Sequence, residues 1–175
     1  LRGETTGSKK RYAGINQTGK LIFKGLEAAR GDWTALAKEF QTALYQKLFT
    51  NQAVEEYITT QVKLLKLGEL DDKLVYRKRL GQDLEMYRRN IPPHARAVLD
   101  YQVVHPDFFI KRGDWVSYII TLDGPLYLPE QQITHLNKID YQHYLDKQLK
   151  PIVEAIEKEL QLSFEQLVNE QQSLF

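Results

Sequence analysis

The stretch Trp115-Val116-Ser117-Tyr118-Ile119-Ile120-Thr121-Leu122 narrows the possible folds more than any other part of the chain. It is rich in β-branched and aromatic residues, follows Gly113 and stops at Asp123-Gly124-Pro125, so it reads as a strand. The chain on either side follows helical spacing. Asp32 is placed to cap a helix on which Trp33, Leu36, Ala37, Phe40, Leu44 and Phe49 share one face. Asn51 interrupts it, and Val54, Tyr57, Ile58, Val62 and Leu65 continue with helical spacing to Gly68, a good helix stop. Pro92-Pro93 opens a further helix to about Tyr101, since proline is tolerated in a first turn. Residues 140–160 form a long helix with Tyr144, Leu145, Leu149, Ile152, Val153 and Ile156 as its inward stripe, and Pro151 should kink or split it. Residues 164–168 make a last short helix. A strand set among these segments predicts an α+β fold, mostly helical.

Two further segments alternate rather than repeat. Residues 9–15 and 20–24 flank Asn16-Gln17-Thr18-Gly19 and read as a β-hairpin, basic and aromatic, with Tyr12 and Phe23 available for packing. A two-stranded hairpin is marginal alone, so it is expected to belong to a larger sheet. Leu74-Val75-Tyr76-Arg77-Lys78-Arg79-Leu80 is either a short strand or an extended segment. With 175 residues the chain is long enough to bury a core without covalent staples. It opens on Leu1-Arg2-Gly3-Glu4, with no initiator methionine and no apolar signal segment, which reads as a piece of a longer protein. On that reading, a missing active site does not argue against an enzyme.

The net charge of +1 hides a polarised distribution. Residues 1–30 and 73–96 each carry seven Lys or Arg against two acidic residues, whereas residues 138–175 carry four Lys against seven Asp or Glu. A basic face of this kind suits phosphates. Lys9-Lys10-Arg11-Tyr12 fits a phosphate-contacting strand edge, or else a solvated basic strand end. On a strand, Arg77 and Arg79 point one way and Lys78 the other, so the three cannot meet one row of phosphates. His94 and Arg96 stand in a first helical turn, where free amides suit phosphate; a capped surface helix is the alternative.

No group stands out for catalysis, and no metal site is expected. His94, His105, His135 and His143 lack metal-ligand spacing and read as neutral surface positions, and Asp71-Asp72 reads as a polar turn. There are no cysteines, which removes disulfides and thiolate zinc sites and is compatible with a reducing cytoplasm. No apolar run approaches the roughly 18 residues of a membrane span. Gln171-Gln172-Ser173-Leu174-Phe175 ends on two large apolar residues. Either a disordered tail docks Leu174 and Phe175 in a partner's pocket with Gln171 as a polar anchor, or the tail folds back on its own domain.

The order of these segments resembles family B DNA polymerases, in their bacterial polymerase II branch. Thr6-Gly7-Ser8-Lys9-Lys10-Arg11-Tyr12-Ala13-Gly14 is similar to the palm strand with its lysine-x-tyrosine motif, here Lys10 and Tyr12. Lys24-Gly25-Leu26-Glu27 with Arg30 and Asp32-Trp33 resembles the palm-to-thumb junction. Gly68-Glu69-Leu70-Asp71, the 74–80 segment, Tyr87, Asn90 and Pro92-Pro93-His94 are similar to thumb motifs, as are Gly113 with Val116 and Tyr118. Ile139-Asp140-Tyr141 with Tyr144 and Gln148-Leu149 resembles the late thumb helix, and Gln171 to Phe175 the bacterial sliding-clamp motif. Residues 100–111 do not align with the family pattern, and Gln172 stands where leucine is common.

The resemblance implies the end of a palm domain at 1–30, a thumb domain at 31–168 and a flexible clamp-binding tail at 169–175. It implies that the palm strand touches primer-template duplex DNA through Lys9, Lys10, Arg11 and Tyr12, and that the thumb grips it through Arg77, Lys78, Arg79 and His94. Gln171, Leu174 and Phe175 are then the contacts to a bacterial sliding clamp. The parent would be a DNA-directed DNA polymerase of the bacterial cytoplasm and nucleoid, completed by its remaining polymerase domains. In the family, paired aspartates in a Tyr-Gly-Asp-Thr-Asp-Ser stretch bind Mg²⁺ for nucleotidyl transfer. This chain has no such stretch and so no cofactor of its own, and alone it is expected to be inactive. A rival reading is a non-enzymatic DNA-binding adaptor that recruits a partner through its tail, and a third is a helical structural domain with solvated basic blocks.

Overall fold

The structure is a computed structural model that describes residues 12–15, 17, 21–24, 33–130, 133, 138–160 and 163–172. The hairpin forms as the alternation predicts: β1 (Tyr12–Ile15) pairs antiparallel with β2 (Leu21–Lys24), Tyr12 opposite Lys24. β1 lies against the first helix. That helix, α1 (Ala35–Phe49), starts later than the apolar spacing indicates. Its cap is Thr34, whose Oγ1 accepts from the Ala37 amide at 3.3 Å, and Trp33 precedes the helix while still packing on the core. A hydroxyl at this position satisfies one of the amides that a helix start leaves without a partner.

α1 buries Leu36, Ala37, Phe40 and Leu44 against α2 (Val54–Lys66), which buries Val54, Ile58, Val62 and Leu65. Burying a side chain the size of Phe40 or Ile58 contributes about 1.5–3 kcal/mol. Phe40 also stacks on Tyr57 with ring centroids 5.8 Å apart. Asn51, at φ 54°, makes the break between the two helices. α2 stops at Gly68, whose φ of 80° is left-handed. The Gly68 amide returns to the Leu65 carbonyl and the Glu69 amide to that of Leu64, closing the helix end. A methyl group on Gly68 would stand 3.1 Å from the Tyr141 hydroxyl.

The alternating 74–80 segment resolves as a strand. β3 (Tyr76–Arg79) pairs antiparallel with β4 (Trp115–Thr121), and β4 with β5 (Gly124–Tyr127), so β4 is central. β5 was not expected, because Pro125 reads as a terminator; at a sheet edge proline removes no ladder bond that matters. Gly124, at φ 107°, closes the tight turn from β4. α3 (Pro93–Val104) begins with proline as the sequence indicates and packs on β5 and β4, with Tyr101 edge-on to Tyr127 at 5.0 Å.

The long helix predicted over 140–160 is interrupted on either side of its proline, by a π turn before it and a tight turn after it. α4 (Tyr141–Tyr144) runs into a π-helical turn (Leu145–Leu149), then α5 (Lys150–Glu154), a tight turn and α6 (Glu157–Leu160). Pro151 has no amide to donate and its ring crowds the preceding turn, which the wider π turn relieves. Tyr144, Leu145, Leu149, Ile152, Val153 and Ile156 are all buried, as the stripe predicts. α7 (Phe164–Gln172) packs on α2 and α5 and extends past the expected end at 168. Residues 169–172, expected in the flexible tail, continue it because Glu and Gln favour helix and no glycine or proline stops them.

Candidate nucleic-acid interface

The pleat of β3 sorts its residues. Tyr76 is buried, whereas Arg77, Lys78 and Arg79 are exposed. Arg79 stands opposite Trp115 on β4 and Arg77 opposite Ser117, so both arginines share a face with the tryptophan. Each guanidinium carbon lies 4.6 Å from the centroid of the Trp115 ring. Such contacts are worth about 0.5–1 kcal/mol each at an exposed site. Among the described residues, Arg77, Lys78 and Arg79 have no carboxylate within ion-pairing distance. The expected split of the three cations is therefore what the register produces.

Lys78 turns to the other face. It lines a cleft of about 220 Å³ with Trp33, Pro93, His143, Lys147 and Gln148. The floor is a closed polar network. The Tyr76 hydroxyl meets His143 Nε2 at 2.8 Å and accepts from Gln148 Nε2 at 3.0 Å. Gln148 Oε1 accepts from both the amide and the hydroxyl of Thr34, at 3.1 and 2.7 Å. Tyr76 also stacks on Tyr118 and Tyr144, with centroids 5.2 and 5.5 Å apart. The Tyr144 hydroxyl accepts from the Ile120 amide at 3.0 Å, and burial pushes its own ionisation far upward. The register of β3 is thus pinned from inside by an aromatic and hydrogen-bonded cluster drawn from four distant segments.

His94 is not the surface group that the sequence indicates. It is the second residue of α3 and only 4% exposed, edge-on to Tyr87 at 6.3 Å. Neither ring nitrogen has a hydrogen-bond partner among the described residues. Burial, and secondarily the Lys78 charge, hold its pKa below the usual imidazole range. His143 is lowered likewise, chiefly by burial. Arg88, Arg89 and Arg96 extend the basic character as exposed side chains.

Asp71 belongs to a short 3₁₀ turn and accepts from the Tyr141 hydroxyl at 2.9 Å. Burial and this bond push Tyr141 up to about 12. Among the described residues no group of three His, Asp or Glu can hold a metal ion. Lys9, Lys10, Arg11, Leu174 and Phe175 lie outside the described residues; of Tyr12 and Gln171 only the backbone is described, in β1 and α7. Trp115 was missed as a site residue, because its meeting with the arginines depends on a strand pairing that joins residues 36 apart.

Residues 7–160 match the family described as DNA polymerase family B, and the chain belongs to that family. Within it, the chain is 42% identical to DNA polymerase II of Escherichia coli (strain K12), over all of its own length and 23% of that protein. It is 33% identical to DNA polymerase 2 of Aeropyrum pernix, over 83% of this chain and 19% of that one. Among solved structures, the family B DNA polymerase from the hyperthermophilic archaeon Pyrobaculum calidifontis superposes with a TM-score of 0.67 at 26% identity, covering 83% of this chain and 20% of that one. The chain thus spans 23% or less of the length of these relatives. No helix among the described residues is long and apolar enough to cross a membrane.

Proposed function

We propose that this chain is the palm end and thumb of a DNA-directed DNA polymerase, and that it grips primer-template duplex through its phosphates. The observation that carries the reading is the exposed run Arg77-Lys78-Arg79, which has no carboxylate neutralising it among the described residues and is held rigidly on a sheet. In a chain of this family, fixed cations without an internal counter-charge suit a backbone that offers charge but no sequence. Lys9, Lys10, Arg11 and Tyr12 belong to the same grip in this reading, whereas His94, buried in the structure, does not, and Gln171, Leu174 and Phe175 tether the enzyme to a bacterial sliding clamp at the nucleoid. The Mg²⁺ that supports nucleotidyl transfer in the family is held there by aspartates of a Tyr-Gly-Asp-Thr-Asp-Ser stretch that this sequence lacks, so in this reading its ligands belong to the rest of the enzyme.

The test measures the affinity of the full-length protein for primer-template duplex as salt is raised. Lys78→Ala is expected to weaken binding uniformly across sequences and to lower the salt slope by about one. An unchanged slope takes Lys78 out of the grip. For the tether, removal of residues 171–175 is expected to abolish binding to the cognate clamp in a titration. Equal affinity with and without them overturns that part of the proposal.

A further inference from the structure

Arg77 and Arg79 repel each other, and nothing anionic among the described residues lies close enough to pair with either. On a pleated strand they stand roughly 7 Å apart on one face. A free pair of arginines would diverge into solvent, each losing order in four rotatable bonds. Here both guanidinium carbons are instead held 4.6 Å from one aromatic centroid. Trp115 is 46% exposed, so it has not been placed there to fill the core. It is the first residue of the central strand, directly opposite Arg79, which fixes where its ring can lie.

We infer that Trp115 is a positioning residue that holds Arg77 and Arg79 as one preorganised two-guanidinium clamp for the phosphodiester backbone of duplex DNA. The inference rests on the duplex-grip reading and adds to it a residue that carries no charge. An aromatic face attracts guanidinium groups flat against it and leaves their N–H edges free to donate. Ordering them before DNA arrives removes an entropic cost that would otherwise be met on binding. Lys78, on the opposite face and lining the cleft, is not part of the clamp.

The experiment compares duplex affinity and its salt dependence for the full-length protein and five variants, each checked for an unchanged Tm. Arg77→Ala with Arg79→Ala is expected to lower the salt slope by about two, because two phosphate contacts go. Trp115→Ala is expected to weaken binding roughly threefold to tenfold with the slope nearly kept, because the charges remain but are loosened. Trp115→Phe, which keeps an aromatic face, should recover most of the loss. Arg77→Lys with Arg79→Lys should behave like Trp115→Ala. Trp115→Ala added to the double alanine variant should cost nothing more.

An additive loss in that last variant would mean that the tryptophan touches DNA itself or acts only on the fold, and would overturn the inference. So would unaltered binding by Trp115→Ala. Both results leave the duplex grip standing. The grip itself fails if the unmodified protein shows no salt-dependent duplex affinity, or if the double alanine variant binds as the parent does.

Discussion

The two faces of β3 make opposite use of the same four residues. Inward, Tyr76 spends its hydroxyl and both ring faces on neighbours from β4, α4 and the π turn. Outward, Arg77 and Arg79 meet a single aromatic ring and no counter-charge among the described residues. One face ties its buried tyrosine into a hydrogen-bonded network, and the other keeps its charge available. A satisfied interior can therefore hold an unsatisfied exterior in register, and the two should respond to different perturbations.

Gln148→Ala should break the comparison most severely. It strands the Thr34 amide and hydroxyl and removes a donor from Tyr76, all in buried surroundings. The expected loss is roughly 3 kcal/mol of stability in urea unfolding. A loss under about 1 kcal/mol would mean that water replaces the amide and that the inner face is less closed than described.

Acidification should act next, again on the inner side. His94 and His143 both have folded pKa values below the ordinary 6.5. Between the folded and unfolded values the unfolded chain binds more protons, so stability rises with pH there. The contribution is fully present above about pH 6.5 and is lost as pH falls below it. Urea midpoints taken from pH 7.5 down to 5 should decline, and His94→Leu should flatten the decline. A midpoint that held constant to pH 5 would show that neither ring resists protonation.

Arg77→Ala should matter least to the fold, changing stability by about 0.5–1 kcal/mol, since only one exposed stacking contact goes. A shift in thermal midpoint as large as that of Gln148→Ala would erase the distinction between the faces.

What the sequence showed in advance divides along similar lines. α1, α2, β4, the hairpin and a disturbance of the long helix around Pro151 were legible, because each rests on local spacing, a β-branched run, a glycine-containing turn or a missing amide. β5 was not, since Pro125 is disqualifying in a central strand and harmless at an edge. The basic strand could be read down to the side on which each cation points. Its tryptophan partner could not, nor could the burial of His94, because both depend on which segments meet in space. The duplex-facing role proposed above came from the family's order of motifs, since charge alone left it open.

The hydrogen bonds from Thr34 to Gln148 join residues 114 apart, and that separation sets an order of events as the chain is made. α1 and α2 can pair early, since their contacts are local. The amide that opens α1 still has no side-chain acceptor until the glutamine has been synthesised, and Tyr76 waits for the same residue. The last third of the chain thus fastens what the first third begins. A chain stopped short of residue 148 would hold its helical pair and its basic strand without the glutamine that ties the two together.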